Sequence, residues 1–597
     1  MDLHKIFTYP YDNELILRKQ KSLRRELLAR EGVEYVEKRI AILGGATTDD
    51  IKNLLEIFLL ASGIKPSFYQ SEYNKWYEDA VFENPTLAEF RPEIIVIFTG
   101  HHNLSHLPEP GDSPEIVRGK LSAEFARYQE AWEKLFARYH AVIIQNNFDL
   151  PAALPLGSLE AREPYGLARF IAGLNEKFAA YAAPGFYLHD LNSLAAKIGL
   201  DRYHNPFQYY AYKFPMNYDV MPEVALSLAK IIRGILGKNK KCLVLDLDNT
   251  LWGGVIGDDG MEGIKIGRET PTAEAYTAFQ EYVLALKKRG VILAVASKND
   301  EAVARGGFSH PDSVLDLADF ATFHANWEPK NLSLAAIAAE LNIGTDSLVF
   351  IDDNPAERQL IRDTMPEVAV PEVNPTDVFS YIRAIEGAGY FEPVSISADD
   401  QKRADTYRAN AARQKMASAM GSYDDFLKSL AMQAEIDAFR PIYFDRIAQL
   451  TNKSNQFNLT TRRYTRADIE NMAADSRYLT LYGRLTDKFG DNGLVSVVIG
   501  EIKGDEVHII LWLMSCRVLK RGMEQAMLDA LAAAAMERGC HKLVGYYYPT
   551  KKNPMVANLY GEFGFTKLSE AEGGATWELP LADYERRGRY IAVSGAK

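Results

Sequence analysis

Apolar stretches of strand length alternate with helical patterns through the first part of the chain. RIAILGG at 39–45 ends in glycines, and IKNLLEIFLLASG at 51–63 has the spacing of a helix that stops at a glycine. Further strands are predicted at 93–100 and 141–147, and FYLHDLNSLAAKIG at 186–199 predicts a strand that runs into a helix. Strands that alternate with helices indicate a parallel α/β sheet.

The same alternation resumes after a predicted closing helix and linker. In this second predicted domain, apolar strand patterns again alternate with helical patterns, which favours a parallel sheet. Its predicted strands are 242–248, 291–297 and 347–353, and its predicted helices are roughly 272–289 and 331–341.

The last part of the chain has a different order. The polar stretch 392–414 predicts a linker and a helix, and strands at 494–502 and 507–515 precede a long helix at 523–539. This order is typical of an α+β domain. We therefore predict three α/β or α+β domains, with the following bounds: 1–238, including a helix at 15–30, then 239–390, then 391–597.

Composition and charge narrow the class of protein. The chain has 597 residues, too many for one core, and its net charge of −12 argues against a nucleic-acid surface. Three cysteines cannot form a disulfide framework and favour a reducing compartment. The N-terminal residues lack the apolar core of a signal peptide, and no stretch has the length and apolarity of a membrane span. We expect a cytoplasmic protein without membrane insertion, whose oligomeric state stays open.

Two aspartates at the end of the strand 242–248 indicate phosphate chemistry. The segment KCLVLDLDNTLWGG places Asp246 and Asp248 two residues apart, where strand alternation puts both carboxylates on one side. Such crowding is costly unless a cation or a shared proton offsets the repulsion. The arrangement predicts a Mg²⁺ site with one aspartate able to attack phosphorus.

Residues at the other strand ends complete the predicted site. In a parallel sheet the carboxyl ends of the strands meet, so Ser297, Lys330 and Asp352 are expected beside the aspartate pair. Asp246 would form an aspartyl-phosphate, and Asp248 would protonate the leaving oxygen and then activate water or an acceptor. The phosphate-binding candidates are Thr250, Ser297, Lys298 and Lys330, and the Mg²⁺ candidates are Asp246, Asp248 and Asp352, with Asp353 close behind.

The order DxDxT, Ser, Lys and a paired DD resembles the haloacid-dehalogenase (HAD) phosphotransferases. The segments DLDNTLWGGVIGDDG, LAVASKND, NWEPKN and SLVFIDDNPAER are similar to the FkbH-type subfamily, HAD class IIIC, and the similarity is most specific over 242–372. It implies a Rossmannoid sheet, here without room for a large cap. It also implies, for some members, transfer of a glyceryl group from a bisphosphorylated glycerate to an acyl carrier protein, whereas others accompany surface-polysaccharide genes.

The C-terminal part resembles GNAT acyltransferases. SCRVLKRGMEQAML at 515–528 is similar to their pyrophosphate-binding turn. The resemblance implies contacts to coenzyme A or phosphopantetheine from Arg517, Lys520, Arg521 and Gly522. NPMVANLYGEFGF at 553–565 is similar to the GNAT signature helix. That resemblance implies that Asn558 and Tyr560 lie near the thioester, although Tyr560 is equally expected as a core aromatic.

Two further features of this part are candidates for a thiol or acceptor site. NKSNQFNLTTRRYT at 452–465 is dense in amides, hydroxyls and arginines, which favours contact with a substrate or an acceptor. The candidates are Asn455, Gln456, Asn458 and Thr460. Cys516 lies beside arginines and a predicted helix N-terminus, a setting that lowers thiol pKa and would suit acyl transfer. The alternative for Cys516 is a buried small hydrophobe.

The N-terminal part resembles SGNH hydrolases with the nucleophile lost. Ala46 stands where that pattern has a serine, Gly100 and Asn103 match the oxyanion positions, and Asp201 and His204 match the D-x-x-H spacing. The resemblance implies a flavodoxin-type sheet. A binding or docking role is favoured over esterase activity.

These observations predict a Mg²⁺-dependent enzyme of three domains. A HAD-type domain would remove phosphate from a small phosphorylated acid or sugar, and a GNAT-like domain would present the thiol of a carrier protein for acyl transfer. Two alternatives stay open: a stand-alone phosphatase, and an acyl-CoA-dependent acyltransferase of a surface-polysaccharide pathway.

Overall fold

The computed structural model describes residues 3–394, 409, 413, 416, 420, 422–454, 456–515, 518–550, 552–571 and 573–594. By internal contacts the chain forms two compact units, one ending at Ile235 and the other beginning at Leu236, with Thr8–Pro10 assigned to the second. None of the helices described here combines the length and the apolarity needed to cross a bilayer.

The first unit is built on a five-stranded parallel sheet with the order β2-β1-β3-β4-β5. This is the order of flavodoxin-type doubly wound sheets. The strands are β1 (Val36–Gly44), β2 (Ile64–Gln70), β3 (Ile94–Phe98), β4 (Val142–Asn146) and β5 (Phe186–His189). The helices are α1 (Leu3–Ile6), α2 (Asn13–Leu28), α3 (Asp49–Ala61), α4 (Trp76–Val81), α5 (Pro85–Phe90), α6 (Pro114–Tyr139), α7 (Leu167–Ala180), α8 (Leu191–Ile198), α9 (Leu200–Tyr203), α10 (Pro206–Tyr212) and α11 (Met221–Ile235).

The second unit begins with a four-stranded parallel sheet, order β8-β7-β6-β9. Alternate residues of β6 enter separate cores, with Leu243 in one cluster and Val244 in another, so the sheet is buried on both faces. The strands are β6 (Cys242–Leu245), β7 (Ile292–Ser297), β8 (Thr322–Ala325) and β9 (Leu348–Ile351). The helices are α12 (Ile256–Gly263), α13 (Pro271–Lys288), α14 (Glu301–Gly306), α15 (Lys330–Glu340), α16 (Pro355–Thr364) and α17 (Phe379–Ala388).

The C-terminal half of this unit is a nine-stranded mixed sheet in which β11 pairs with β14 outside the main strand order β16-β17-β15-β14-β13-β12-β10-β18. Its strands are β10 (Met432–Ala438), β11 (Phe457–Asn458), β12 (Tyr478–Asp487), β13 (Gly490–Lys503), β14 (Glu506–Met514), β15 (Lys542–Tyr547), β16 (Thr566–Ala571), β17 (Gly574–Pro580) and β18 (Ile591–Ser594). Its helices are α18 (Tyr423–Ser429), α19 (Phe444–Lys453), α20 (Arg466–Ala474), α21 (Met523–Glu537) and α22 (Leu559–Glu562).

The predicted elements of both parallel sheets are present, with bounds that differ by a few residues. Two strands, β2 and β8, were not predicted from the sequence. Both lie at a sheet edge, and β2 contains Pro66, which is tolerated there because an edge strand has an unpaired side. Between β6 and β7 the chain forms α12 and α13.

Candidate functional site

The parallel sheet of the second unit gathers the predicted residues at the carboxyl ends of its strands. Asp246 follows β6 directly, Ser297 is the last residue of β7, and Asp352 follows β9. Because β6 lies between β7 and β9, these three positions are neighbours. Lys330 is the first residue of α15 and comes to the same edge.

Three carboxylates converge there around one lysine. Oxygen atoms of Asp246, Asp352 and Asp353 lie within 4.8 Å of one another. Lys330 Nζ is 2.9 Å from Asp246 Oδ1 and also bonds Asp352. Asp246, Asp352 and Lys330 are all buried. Lys330 thus contacts two of the three acids, and the half-buried Asp353 lies beside them, so the carboxylates of the cluster outnumber the ammonium.

The protonation equilibria reflect that imbalance. Burial, followed by the charge of Asp246, raises the pKa of Asp352 to about 7 in spite of the neighbouring ammonium of Lys330. Burial and Asp246 likewise raise the pKa of Asp353. Burial alone would lower the pKa of Lys330, but the two carboxylates outweigh it and hold that pKa above its usual range. An all-oxygen donor set with surplus negative charge fits a hard divalent cation such as Mg²⁺.

The side chain of Asp248 lies outside this acid cluster, in contrast to the prediction that it would ligate the metal together with Asp246. Its Oδ1 accepts hydrogen bonds from Trp252 Nε1 at 2.9 Å and from the main-chain N–H of Ile256 at 3.1 Å. Its Oδ2 accepts one from Asn299 Nδ2 at 2.8 Å. Asp353 instead completes the three-acid group among the residues described.

The predicted phosphate-binding side chains differ in their surroundings. Thr250 is buried, and its hydroxyl makes no hydrogen bond within the described part of the chain. Ser297 is also buried, with its Oγ 3.5 Å from Asn299 Nδ2. Lys298 is partly exposed and pairs with Glu357 at 2.5 Å, at the rim of the site. Thr250 and Ser297 are thus buried hydroxyls, whereas Lys298 already has an anionic partner.

The loop after β6 is held by tyrosines that the sequence did not single out. Asn249 has a left-handed φ of 52°, and its carbonyl accepts hydrogen bonds from Tyr381 at 2.9 Å and Tyr276 at 3.3 Å. Asn249 Oδ1 accepts from the main-chain N–H of Gly254 at 2.9 Å, which closes the loop on itself. The loop that supplies Asp248 is therefore fixed by the surrounding fold.

In the C-terminal half, the turn before α21 contains a carboxylate of the chain itself. Glu524 Oε1 accepts a hydrogen bond from the main-chain N–H of Lys520 at 2.7 Å, next to Gly522 with φ 91°. Arg521, predicted to face a coenzyme phosphate, is buried with its Nη1 3.4 Å from Asp487 Oδ2. Cys516 and Arg517, also predicted here, lie outside the described residues, as does Asn455.

A segment of the chain also fills the gap where two strands of this half separate. β14 and β15 pair only as far as Ile509 and Gly545. Beyond that point Phe457 and Asn458 pair with β14, and Leu459 bonds both neighbours: its N–H donates to Trp512 O at 3.1 Å, and its carbonyl accepts from the Tyr548 N–H at 2.9 Å. The polar stretch 452–465 is thus in part a buried strand, and Gln456, directly before it, is half-buried.

Tyr560 is buried and Asn558 is exposed. The ring of Tyr560 is fully buried in the C-terminal core beside Trp512, and burial raises its pKa far above the usual range. Of the two alternatives for Tyr560, this surrounding matches that of a core aromatic. Asn558 is exposed and directly precedes α22.

In the first unit, the aspartate that pairs with His204 is not the one that the SGNH pattern predicts. His204 Nε2 lies 3.2 Å from Asp149 Oδ2, whereas Asp201, at the D-x-x-H position, is exposed. The oxyanion position is altered too, because Asn103 Nδ2 donates to Gly45 O at 2.8 Å and to Asn74 Oδ1 at 2.9 Å. Both amide hydrogens of Asn103 are therefore used within the protein.

Comparison with solved structures finds similarity to the N-terminal part of the protein BF1531 from Bacteroides fragilis, which contains a phosphatase domain and was crystallised with Mg. The two are 31% identical over 63% of this chain and 99% of that one, with a TM-score of 0.58.

Two acetyltransferases align with about a quarter of the chain. The ribosomal-protein-S18-alanine N-acetyltransferase from Escherichia coli has 15% identity over 26% of this chain and 97% of that one, with a TM-score of 0.21. The PaiA N-acetyltransferase from Thermoplasma acidophilum, in complex with coenzyme A, has 15% identity over 25% and 99%, with a TM-score of 0.20. No family model and no curated protein matches the chain.

Proposed function

The chain belongs to the same family as the Bacteroides fragilis protein BF1531, whose N-terminal part contains a phosphatase domain, and we propose that it is a Mg²⁺-dependent phosphatase of HAD type acting through Asp246. The observation that supports this most directly is the cluster of Asp246, Asp352 and Asp353 around Lys330. Such a cluster at the carboxyl edge of a parallel sheet lies where ligands bind in open α/β folds.

The three clustered carboxylates would hold the metal. When bound there, Mg²⁺ supplies positive charge that offsets the repulsion between the carboxylates and the incoming phosphate oxygens. Lys330 supplies a second positive charge, 2.9 Å from Oδ1 of the proposed nucleophile Asp246. Ser297 and Thr250 would donate hydrogen bonds to the phosphate oxygens from their buried hydroxyls.

The reaction would proceed in two displacements at phosphorus. An oxygen of Asp246 attacks phosphorus, the ester P–O bond breaks, and the departing oxygen takes a proton from Asp248. Water then gives a proton back to Asp248 and attacks the aspartyl-phosphate, which releases inorganic phosphate and restores Asp246. The first displacement needs Asp248 close to the leaving ester oxygen, and the second needs it close to the attacking water. Proton transfer of this kind typically contributes about 10²–10⁴-fold to the rate.

The substrate class proposed is a small phosphorylated acid or sugar in the cytoplasm. We further propose, on the FkbH-type similarity of residues 242–372, that phosphate release is coupled to transfer of a glyceryl-type acyl group to the thiol of an acyl carrier protein. The alternatives remain a stand-alone phosphatase and an acyl-CoA-dependent acyltransferase of a surface-polysaccharide pathway.

The test is phosphate release from p-nitrophenyl phosphate by the full chain. We expect Mg²⁺-dependent release that Asp246→Asn abolishes and EDTA suppresses. Asp363→Asn, on the exposed side of α16, serves as the matched control and should leave the rate unchanged. Release that survives in Asp246→Asn at the wild-type rate would refute the proposed nucleophile. A gain of acyl mass on a carrier protein that depends on Asp246 would separate loading from simple hydrolysis.

A further inference from the structure

Both oxygens of the Asp248 carboxylate accept hydrogen bonds from side chains that were not among the predicted site residues. Trp252 Nε1 donates to Oδ1 at 2.9 Å and Asn299 Nδ2 donates to Oδ2 at 2.8 Å. The main-chain N–H of Ile256 adds a third hydrogen bond to Oδ1 at 3.1 Å. A carboxylate bonded on both oxygens cannot rotate about its Cβ–Cγ bond without breaking these contacts.

The two side-chain donors are themselves fixed. Trp252 is fully buried, and its indole packs on Gly307 so closely that a Cβ added there would lie 2.8 Å from Cη2. The Phe308 ring meets the indole edge-on at 5.4 Å between centroids. Asn299 is buried and bridges Asp248 to Ser297, since its Nδ2 also lies 3.5 Å from Ser297 Oγ. Rigid packing of this kind places a reacting group accurately.

We propose that Trp252 and Asn299 are positioning residues that keep the Asp248 carboxylate out of the metal cluster and aimed at the leaving oxygen, so that the enzyme is adapted to phosphate esters of alcohols. This inference rests on the proposed phosphatase activity. An alcohol is a poor leaving group and needs the proton that Asp248 transfers as the P–O bond breaks. A nitrophenolate or the carboxylate of an acyl phosphate leaves without one.

The experiment compares two esters of similar shape, phenyl phosphate and p-nitrophenyl phosphate, in the full chain with Mg²⁺. Asp248→Asn serves as the reference. We expect Trp252→Phe and Asn299→Leu to lower kcat/KM for phenyl phosphate at least about tenfold more than for p-nitrophenyl phosphate. The half-saturating Mg²⁺ concentration should stay within about twofold of the wild type, because Asp248 lies outside the acid cluster.

Trp132→Phe is the matched control, because it removes a buried indole N–H bond, 3.0 Å to Gln145 Oε1, in the first unit. It should slow neither ester. Equal slowing of both esters by Trp252→Phe and Asn299→Leu would overturn the inference, and so would no slowing at all. If the wild-type chain hydrolyses neither ester, the proposed function fails first, and this inference falls with it. A raised Mg²⁺ requirement in Asn299→Leu would also contradict the placement of Asp248.

Discussion

Lys330 Nζ lies 2.9 Å from Asp246 Oδ1 and also contacts Asp352, so a single buried ammonium serves two buried carboxylates. A buried charge that loses its partner is costly, because the protein interior screens it far less than water does. Lys330 therefore has two roles at once: it places positive charge beside the proposed nucleophile, and it offsets the repulsion between the acids in the absence of a metal. The second role has a measurable consequence for stability.

Replacement of Lys330 by methionine should make folding depend on Mg²⁺. In Lys330→Met the buried carboxylates lose their ammonium, and we expect a loss of about 3–5 kcal/mol in the presence of EDTA. Saturating Mg²⁺ should raise the Tm of the variant by more than it raises the Tm of the wild type. Differential scanning calorimetry with EDTA or Mg²⁺ measures this, with Lys298→Met as the control at the partly exposed rim. Equal Mg²⁺ shifts in the variant and the wild type would contradict it.

The metal ligands can be distinguished by Mg²⁺ titration. Because Asp353 belongs to the acid cluster and the side chain of Asp248 does not, Asp353→Asn should raise the half-saturating Mg²⁺ concentration by about tenfold or more. Asp248→Asn should lower the rate with much less change in that concentration. Phosphate release measured against Mg²⁺ concentration separates the two effects. A larger increase in the half-saturating Mg²⁺ concentration in Asp248→Asn than in Asp353→Asn would instead support Asp248 as a metal ligand.

The turn before α21 predicts that the wild-type chain binds coenzyme A weakly. In the turn that the GNAT resemblance assigns to a pyrophosphate, the Glu524 carboxyl group accepts a hydrogen bond from the main-chain N–H of Lys520 and so competes for that donor. We expect Glu524→Ala to bind coenzyme A more tightly than the wild-type chain, by about tenfold, in isothermal titration calorimetry. Glu537→Ala, at the exposed end of the same helix, is the control and should resemble the wild type. Tighter binding by the wild type than by Glu524→Ala would refute this role of Glu524.

A buried histidine should make the folding stability of the first unit fall in acid. Burial lowers the pKa of His189 to about 4, and its Nε2 lies 3.1 Å from Ser227 Oγ. Since the folded pKa is below the unfolded value of about 6.5, the unfolded chain binds the extra proton between these values. Stability is therefore lost as pH falls from about 6.5 towards about 4, by at most about 3 kcal/mol.

The variant His189→Gln should flatten this dependence, because glutamine has no charge to gain on unfolding. The Tm of the first unit, measured between pH 7 and pH 4.5, would fall less in the variant than in the wild type. His140→Asn, at an exposed position, should retain the wild-type slope. An unchanged slope in His189→Gln would show that other groups dominate acid unfolding.

The sequence by itself determined the central strands and the residues that end them. Buried parallel strands such as β6 and β9 are continuous apolar runs, and the catalytic candidates Asp246, Ser297 and Asp352 follow such runs directly, so local pattern and strand topology suffice to bring them together. The edge strands β2 and β8 were missed because an edge needs less apolar burial and tolerates Pro66.

Only the tertiary structure decided which side chains face one another within the sites. The hydrogen bond of Asp248 with Asn299, the approach of Asp353 to Asp246 and the pairing of His204 with Asp149 all join segments that lie far apart in the sequence. The insertion of Phe457 and Asn458 beside β14 depends on where β15 separates from it. Sequence periodicity fixes which face of an element is apolar, but a buried polar group takes the partner that the packed fold brings within hydrogen-bonding distance.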